Sequence, residues 1–182
     1  PISLTWLGHA SFKLSGSSTV YIDPWRIRDT ENDGNIVLVS HPHEDHWSPK
    51  DIAKVIIPNG VVIGPVDVTD HTENGRDLAP GGVSEIDGVR ITGIPAYNLR
   101  KPFHPQKKHW LGFIIEMDDT RIYYAGDTDR IPEMQNLPHV DLVPFFEPVH
   151  RYQPRPLIEY HERLEPGGLV EPEGDFAMAV GE

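Results

Sequence analysis

Cysteine is absent from the chain, which excludes both a disulfide framework and thiolate metal ligands. Positive charge is scarce: 16 Lys and Arg stand against 28 Asp and Glu, for a formal net charge of −12. That balance argues against a wide nucleic-acid or anionic-membrane surface, while leaving room for a local basic patch. No apolar run approaches the roughly 20 residues that a membrane-spanning helix needs. The opening stretch Pro1-Ile2-Ser3-Leu4-Thr5 carries neither a basic region nor a signal-like apolar segment, so the cytoplasm is the expected compartment.

What is present suits one globular domain over residues 1–182, since 38% of the residues are hydrophobic and aromatics are spread throughout. Short strands dominate. Ile2 to Phe12 reads as strand, turn at Gly8, strand. A hairpin turn at Ser15-Gly16-Ser17-Ser18 leads to a strand at Thr19–Ile22, which makes a β-meander. Asn35–Val39 reads as a buried strand, and Pro49–Val55 as a helix with Ser48 as N-cap. Further strands are expected at Gly60–Gly64, Gly88–Ile94, Trp110–Met117, Arg121–Ala125 and Val140–Pro144, with a last edge strand within Val170–Val180. Helices are expected at Val66–Arg76 (carrying a solvated His71), at Ile131–Met134 after a Thr128 cap, and at Leu157–Leu164.

One stretch carries chemistry. Ser40-His41-Pro42-His43-Glu44-Asp45-His46 follows a buried strand and precedes a helix start, so its side chains sit on a tight loop at a strand's C-terminal end. Imidazole and carboxylate suit zinc, manganese or iron. His41 and His43 are two residues apart, and an extended backbone sends both the same way. Asp45 and His46, past the turn, can approach a second position. A polar loop that is merely rich in histidine is the competing reading, and the spacing disfavours it.

His41-Pro42-His43-Glu44-Asp45-His46 matches the His-x-His-x-Asp-His motif of the metallo-β-lactamase superfamily. Leu7-Gly8-His9-Ala10-Ser11, Ile22-Asp23-Pro24 and Ala125-Gly126-Asp127-Thr128 fall where its other motifs fall, so residues 2–142 resemble the lactonase-like branch of that superfamily. The resemblance implies an α+β fold, a four-layer αββα sandwich of two mixed β-sheets with helices outside. It implies Asp127 as a carboxylate bridging two metals and Asp23 as a support of the metal-binding histidines. His9, at the first turn, is read as standing behind the ligands or in the pocket wall, and not as a metal ligand itself. A ligating His usually follows the Pro-Ala pair; here Asn98 stands there, and His104, preferred over His109, is the candidate to loop back.

The pattern breaks after Val143-Pro144. The family's last metal-ligating His has no counterpart in its expected setting, and 145–182 diverges, with His150 and His161 as its two histidines. The position near Asp45 and His46 is therefore expected to bind more weakly, leaving one or two ions. The expected activity is metal-dependent hydrolysis of an ester, lactone, amide or phosphodiester, in which metal-bound hydroxide attacks and Asp45 orients it. The substrate is a small molecule, and Lys101, Lys107 and Lys108 would suit an anionic group on it. No nucleic-acid or membrane partner is expected, and oligomeric state is not legible. A metal-binding protein without turnover and an iron-dependent oxidoreductase are the alternatives.

Overall fold

The computed structural model describes residues 2–145 and 177–180. Six strands build the first sheet in sequence order: β1 (Ser3–Gly8), β2 (Ser11–Ser15), β3 (Thr19–Ile22), β4 (Gly34–Leu38), β5 (Ile56–Gly64) and β6 (Gly75–Asp77). The meander β1-β2-β3 is antiparallel, and β3 to β6 are parallel. Parallel neighbours need crossovers. Helix α1 (Pro49–Val55) supplies one between β4 and β5, and α2 (Val66–Thr69) the next.

The second sheet runs β12 (Ala177–Val180), β11 (Leu142–Phe145), β10 (Thr120–Tyr124), β9 (Leu111–Met117), β8 (Val89–Pro95), β7 (Val83–Ile86). Only β10 and β11 pair in parallel; the other neighbours are antiparallel. Both sheets are thus mixed.

Alternation along the strands decides the packing. Phe12, Leu14, Val20, Ile22, Ile36 and Leu38 leave the first sheet on one face. They meet Ile91, Leu111, Phe113, Ile115 and Ile122 of the second in the central cluster. The intervening Tyr21 and Val37 point the other way, with Val39 and Val62, and bury Ile52 and Val55 of α1 and Val68 of α2. Strand β4 is covered on both faces, which is why its sequence is an unbroken apolar run. On the outer face of the second sheet, Ile114 and Tyr123 pack with Val140 and Val143, and Leu137 after a 3-10 turn at Pro132–Asn136 joins them. This is the layered sandwich that the resemblance implies, two mixed sheets face to face with few helices.

Several local expectations need correction. The helix expected over Val66–Arg76 stops at Thr69. Its β-branched residues have low helix propensity, Asn74 takes a left-handed φ of 57°, and Gly75 begins β6. Strands β6 and β7 are short and mostly exposed, too polar to read from the sequence. Thr128 caps no helix; its hydroxyl bonds the backbone of Tyr97 at 3.1 Å, and the turn beyond it is 3-10. Ser48 holds the N-cap position of α1, yet its hydroxyl donates to Asp51 Oδ2 at 2.8 Å. Strand β12 lies at a sheet edge within the stretch expected for it. The helix expected at Leu157–Leu164 lies outside the described residues. Among the described residues no helix is long and apolar enough to cross a membrane.

Phe113, fully buried between the sheets, tests this core. Phe113→Ala should cost about 3–5 kcal/mol in urea unfolding. A loss under about 1 kcal/mol would mean that the sheets do not pack through it.

Candidate metal centre

Strand β4 delivers the histidine loop. Val39 N–H donates to Ile63 O at 2.9 Å, and Ser40 O accepts from Leu111 N–H at 3.0 Å, so the exit of β4 is fastened to β5 and to the second sheet. The chain then turns: His46 N–H and Trp47 N–H both donate to His43 O, at 2.9 and 2.8 Å. His41 and His43 leave on one side, with His41 Nε2 and His43 Nδ1 3.1 Å apart.

His104 joins them from another loop. Asn98, which stands where the family's histidine is expected, clasps that loop: its backbone N–H donates to His104 O at 2.8 Å and its side-chain amide to Phe103 O at 3.0 Å. The return brings the His104 ring 4.6 Å from that of His41 and 4.7 Å from that of His43. Each of the three offers a nitrogen within 4.8 Å of the others. His104 Nδ1 is buried and has no hydrogen-bond partner among the described residues. Three imidazoles with ligand nitrogens this close, one of them also carrying a buried nitrogen that no described residue bonds, suit a cation. His109 stays outside this group, in a left-handed backbone at the end of a 3-10 turn.

Asp127 comes from the end of β10. Gly126, at φ +64°, makes the turn, and a Cβ there would stand 2.6 Å from Leu111 O. The carboxylate then lies between two groups. Its Oδ1 is 3.5 Å from His46 Nε2, and its Oδ2 is 3.5 Å from His104 Nε2. His41, His46 and Asp127 form a second cluster within 4.8 Å, and His9, Asp45 and His46 a third.

Asp23 lies beneath all of this, fully buried at the end of β3. Its carboxylate accepts from Ser40 N–H at 2.7 Å, Ser40 Oγ at 2.6 Å and Tyr124 OH at 2.6 Å. It also stands 2.7 Å from His46 Nδ1. Holding a proton on that Nδ1 fixes the tautomer and leaves Nε2 for a cation. Ser40 and Tyr124 are the members sequence reading passed over. Each is an ordinary residue at a strand end, and only the meeting of the two sheets gives it a role. Trp110 was also read as mere strand; its ring stands 4.9–5.2 Å from those of His41, His43 and His104, walling the site with apolar surface.

Burial, reinforced by the neighbouring His46, His104 and His43, keeps His41 neutral, well below the usual histidine range. Burial also disfavours charge on His104, against the pull of Asp127. Burial opposes charge on His46 too, but Asp23 more than offsets it, with Asp127 and Asp45 adding, and His46 is pushed up to about 9. Burial would raise Asp45, but His46, its own backbone and His9 hold it below the usual carboxylate range. The donors thus form a neutral imidazole side and an anionic side, a set suited to a divalent cation.

The lysines contribute less than their sequence suggests. Lys101 pairs with Asp129 at 3.2 Å and Lys108 with Asp67 at 3.1 Å. Lys107 lines a groove of about 460 Å³ behind Trp110, together with His109 and Glu133.

A family model for the beta-lactamase superfamily domain matches residues 3–170. The chain belongs to this family. A "UPF0173 metal-dependent hydrolase" of Methanoculleus marisnigri is 32% identical over 78% of this chain and 67% of its own length. The chain spans about two thirds of the length of the curated relatives it matches. A solved structure from Parabacteroides distasonis, named for metal-dependent hydrolases, superposes with a TM-score of 0.74 at 30% identity, covering 83% of this chain and 71% of that one. The diiron β-hydroxylase CmlA of Streptomyces venezuelae shares the fold, with a TM-score of 0.63 at 14% identity over 78% of this chain and 34% of its own.

Two outcomes test the centre. Asp127→Ala should lower metal content sharply, because a carboxylate between two cation positions offsets their mutual repulsion; unchanged content by elemental analysis would remove Asp127 from the site. Metal uptake at pH 7.5 should release about one proton, since His46 is protonated below about 9 and must shed that proton to ligate through Nε2. Calorimetry in buffers of different ionisation enthalpy measures this, and the affinity should climb with pH and level off above about 9. Uptake without proton release would mean that His46 Nε2 is not a ligand.

Proposed function

We propose that this protein is a metal-dependent hydrolase of small ester, lactone or phosphodiester substrates. The observation that carries the reading is the meeting of His41, His43 and His104 on one side and Asp45 and His46 on the other, with Asp127 between them. The all-nitrogen-and-oxygen donor set favours zinc, and manganese or iron also suit it. A bound divalent ion there supplies Lewis acidity and brings the pKa of a water it holds to about 7.

The residues set the direction of approach. The side chains of His41 and His46 are buried, whereas those of Asp45 and Asp127 are 45% and 49% exposed. Substrate therefore enters over the carboxylates. Asp45 is kept ionised by His46 and His9. It orients a water by accepting its hydrogen bond, and being a weak base it passes the proton to the leaving group rather than retaining it. Trp110 shields the imidazoles from bulk water. Phe103 and Leu99 are 67% and 55% exposed on the loop that carries His104, so an apolar part of the substrate has a surface to lie on. With Lys101 and Lys108 paired to Asp129 and Asp67 and Lys107 on the groove behind Trp110, these lysines bear on a substrate anion less than their sequence suggests. Residues 1–182 act in this as one domain, a cytoplasmic one.

A panel of esters, lactones and phosphodiesters, assayed with chelated and reloaded protein, tests the proposal. Turnover should vanish on chelation, return with zinc or manganese, and fall at least 100-fold in Asp45→Ala. Stoichiometric metal without turnover would favour a binding protein of the same fold. Bound iron with oxygen-dependent activity would favour an oxidoreductase.

A further inference from the structure

We propose that His9 is itself a metal ligand and completes the cation position formed by Asp45 and His46. The assignment rests on the metal reading above and goes beyond it in naming a further donor. Among the described residues Asp45 and His46 face that position with Asp127 beside His46, and zinc takes about four donors.

The backbone is built to deliver this side chain. Gly8 and His9 turn between β1 and β2 at φ +112° and +50°, and the register of the β1–β2 pair shifts there. A non-glycine residue at positive φ is uncommon, and an irregularity in a strand pair re-aims a side chain. The conformation is pinned, since Trp6 Nε1–H donates to His9 O at 2.8 Å. The ring sits 5.2 Å from that of Trp25 and edge-on to that of His46 at 5.6 Å.

The choice of oxygen separates ligation from mere support of Asp45. A supporting histidine would bond the outer carboxylate oxygen and leave the inner one for the cation. Here His9 Nε2 is 3.1 Å from Asp45 Oδ2, the same oxygen that stands 3.9 Å from His46 Nε2. Asp127 Oδ1 is 3.5 Å from that His46 nitrogen. Donors at about 2.0–2.1 Å from a tetrahedral zinc lie about 3.3 Å from one another. The three separations bracket that value, so His9, Asp45 and His46 meet at one ion-sized volume, with Asp127 beside His46.

The absence of cysteine makes a direct test simple. Chelator-stripped protein is titrated with Co²⁺, and the unsubstituted chain should take two equivalents. His9→Ala should take one. His9→Cys carries the protein's sole thiol, and a thiolate-to-cobalt charge-transfer absorption should grow over the second equivalent alone. Far-UV circular dichroism confirms that each variant is folded, and either variant alone decides the question. Two equivalents of unchanged affinity in His9→Ala would overturn the assignment, as would a His9→Cys protein that binds two ions without the absorption. A single equivalent in the unsubstituted chain would overturn it too, leaving the first position intact. No binding at all would instead overturn the metal reading on which it rests.

Discussion

The Asp23 carboxylate joins what the rest of the structure keeps apart. It sits at the end of β3, takes the backbone and hydroxyl of Ser40 from the end of β4, and reaches Tyr124 of β10 in the opposite sheet. An ionised carboxylate removed from water is costly unless its lone pairs are filled. Here Ser40 N–H, Ser40 Oγ, Tyr124 OH and His46 Nδ1 fill them. The network therefore has a structural consequence and a chemical one. It ties the two sheets together at one end, and it aims His46 at the space between them.

That end of the sandwich is where the site must lie. Strands β3, β4 and β10 all finish there, so the loops after them are forced together by the same packing that buries Ile22, Leu38, Ile122 and Tyr124 in one cluster. Gly126, just past the end of β10, shows how close the two sheets come there: a Cβ on it would stand 3.4 Å from Ser40 Cβ. The loops carrying His41, His104 and Asp127 inherit their positions from the core, and rigid support of this kind is what a metal site needs.

Much of this was legible because it is local. Strand β4, the helix over Pro49–Val55 and the histidine loop each rest on periodicity or spacing within about ten residues. The convergence of His41 with His43 follows from a two-residue period alone. His104 was legible only as one of two candidates, because its choice over His109 depends on Asn98 closing a loop, a contact no spacing encodes. Ser40 and Tyr124 gave no signal, since a serine after a strand and a tyrosine within one have no function until the other sheet arrives. His9 shows the same limit from the other side. A histidine in a turn is usually a hydrogen-bonding residue, and only the third dimension sets its nitrogen against Asp45. Strands β6 and β7 escaped because exposed short edges carry too little apolar pattern to read.

The electrostatics explain how such a site folds before it holds an ion. Asp23, Asp45 and Asp127 gather around one imidazole, in a chain that is already acidic. Carboxylates gathered around one ring repel, and burial sharpens the repulsion for Asp23, whereas half-exposed Asp45 and Asp127 are partly screened by water. Protonated His46 relieves it: the carboxylates that raise its pKa are the ones it neutralises. The neighbouring His41, kept neutral by burial and by the other imidazoles, adds no competing charge. Proton and metal ion are thus alternative occupants of one anionic cradle. The His46 proton balances the carboxylates around it, and a divalent ion held by the same side chains would take over that balance with twice the charge.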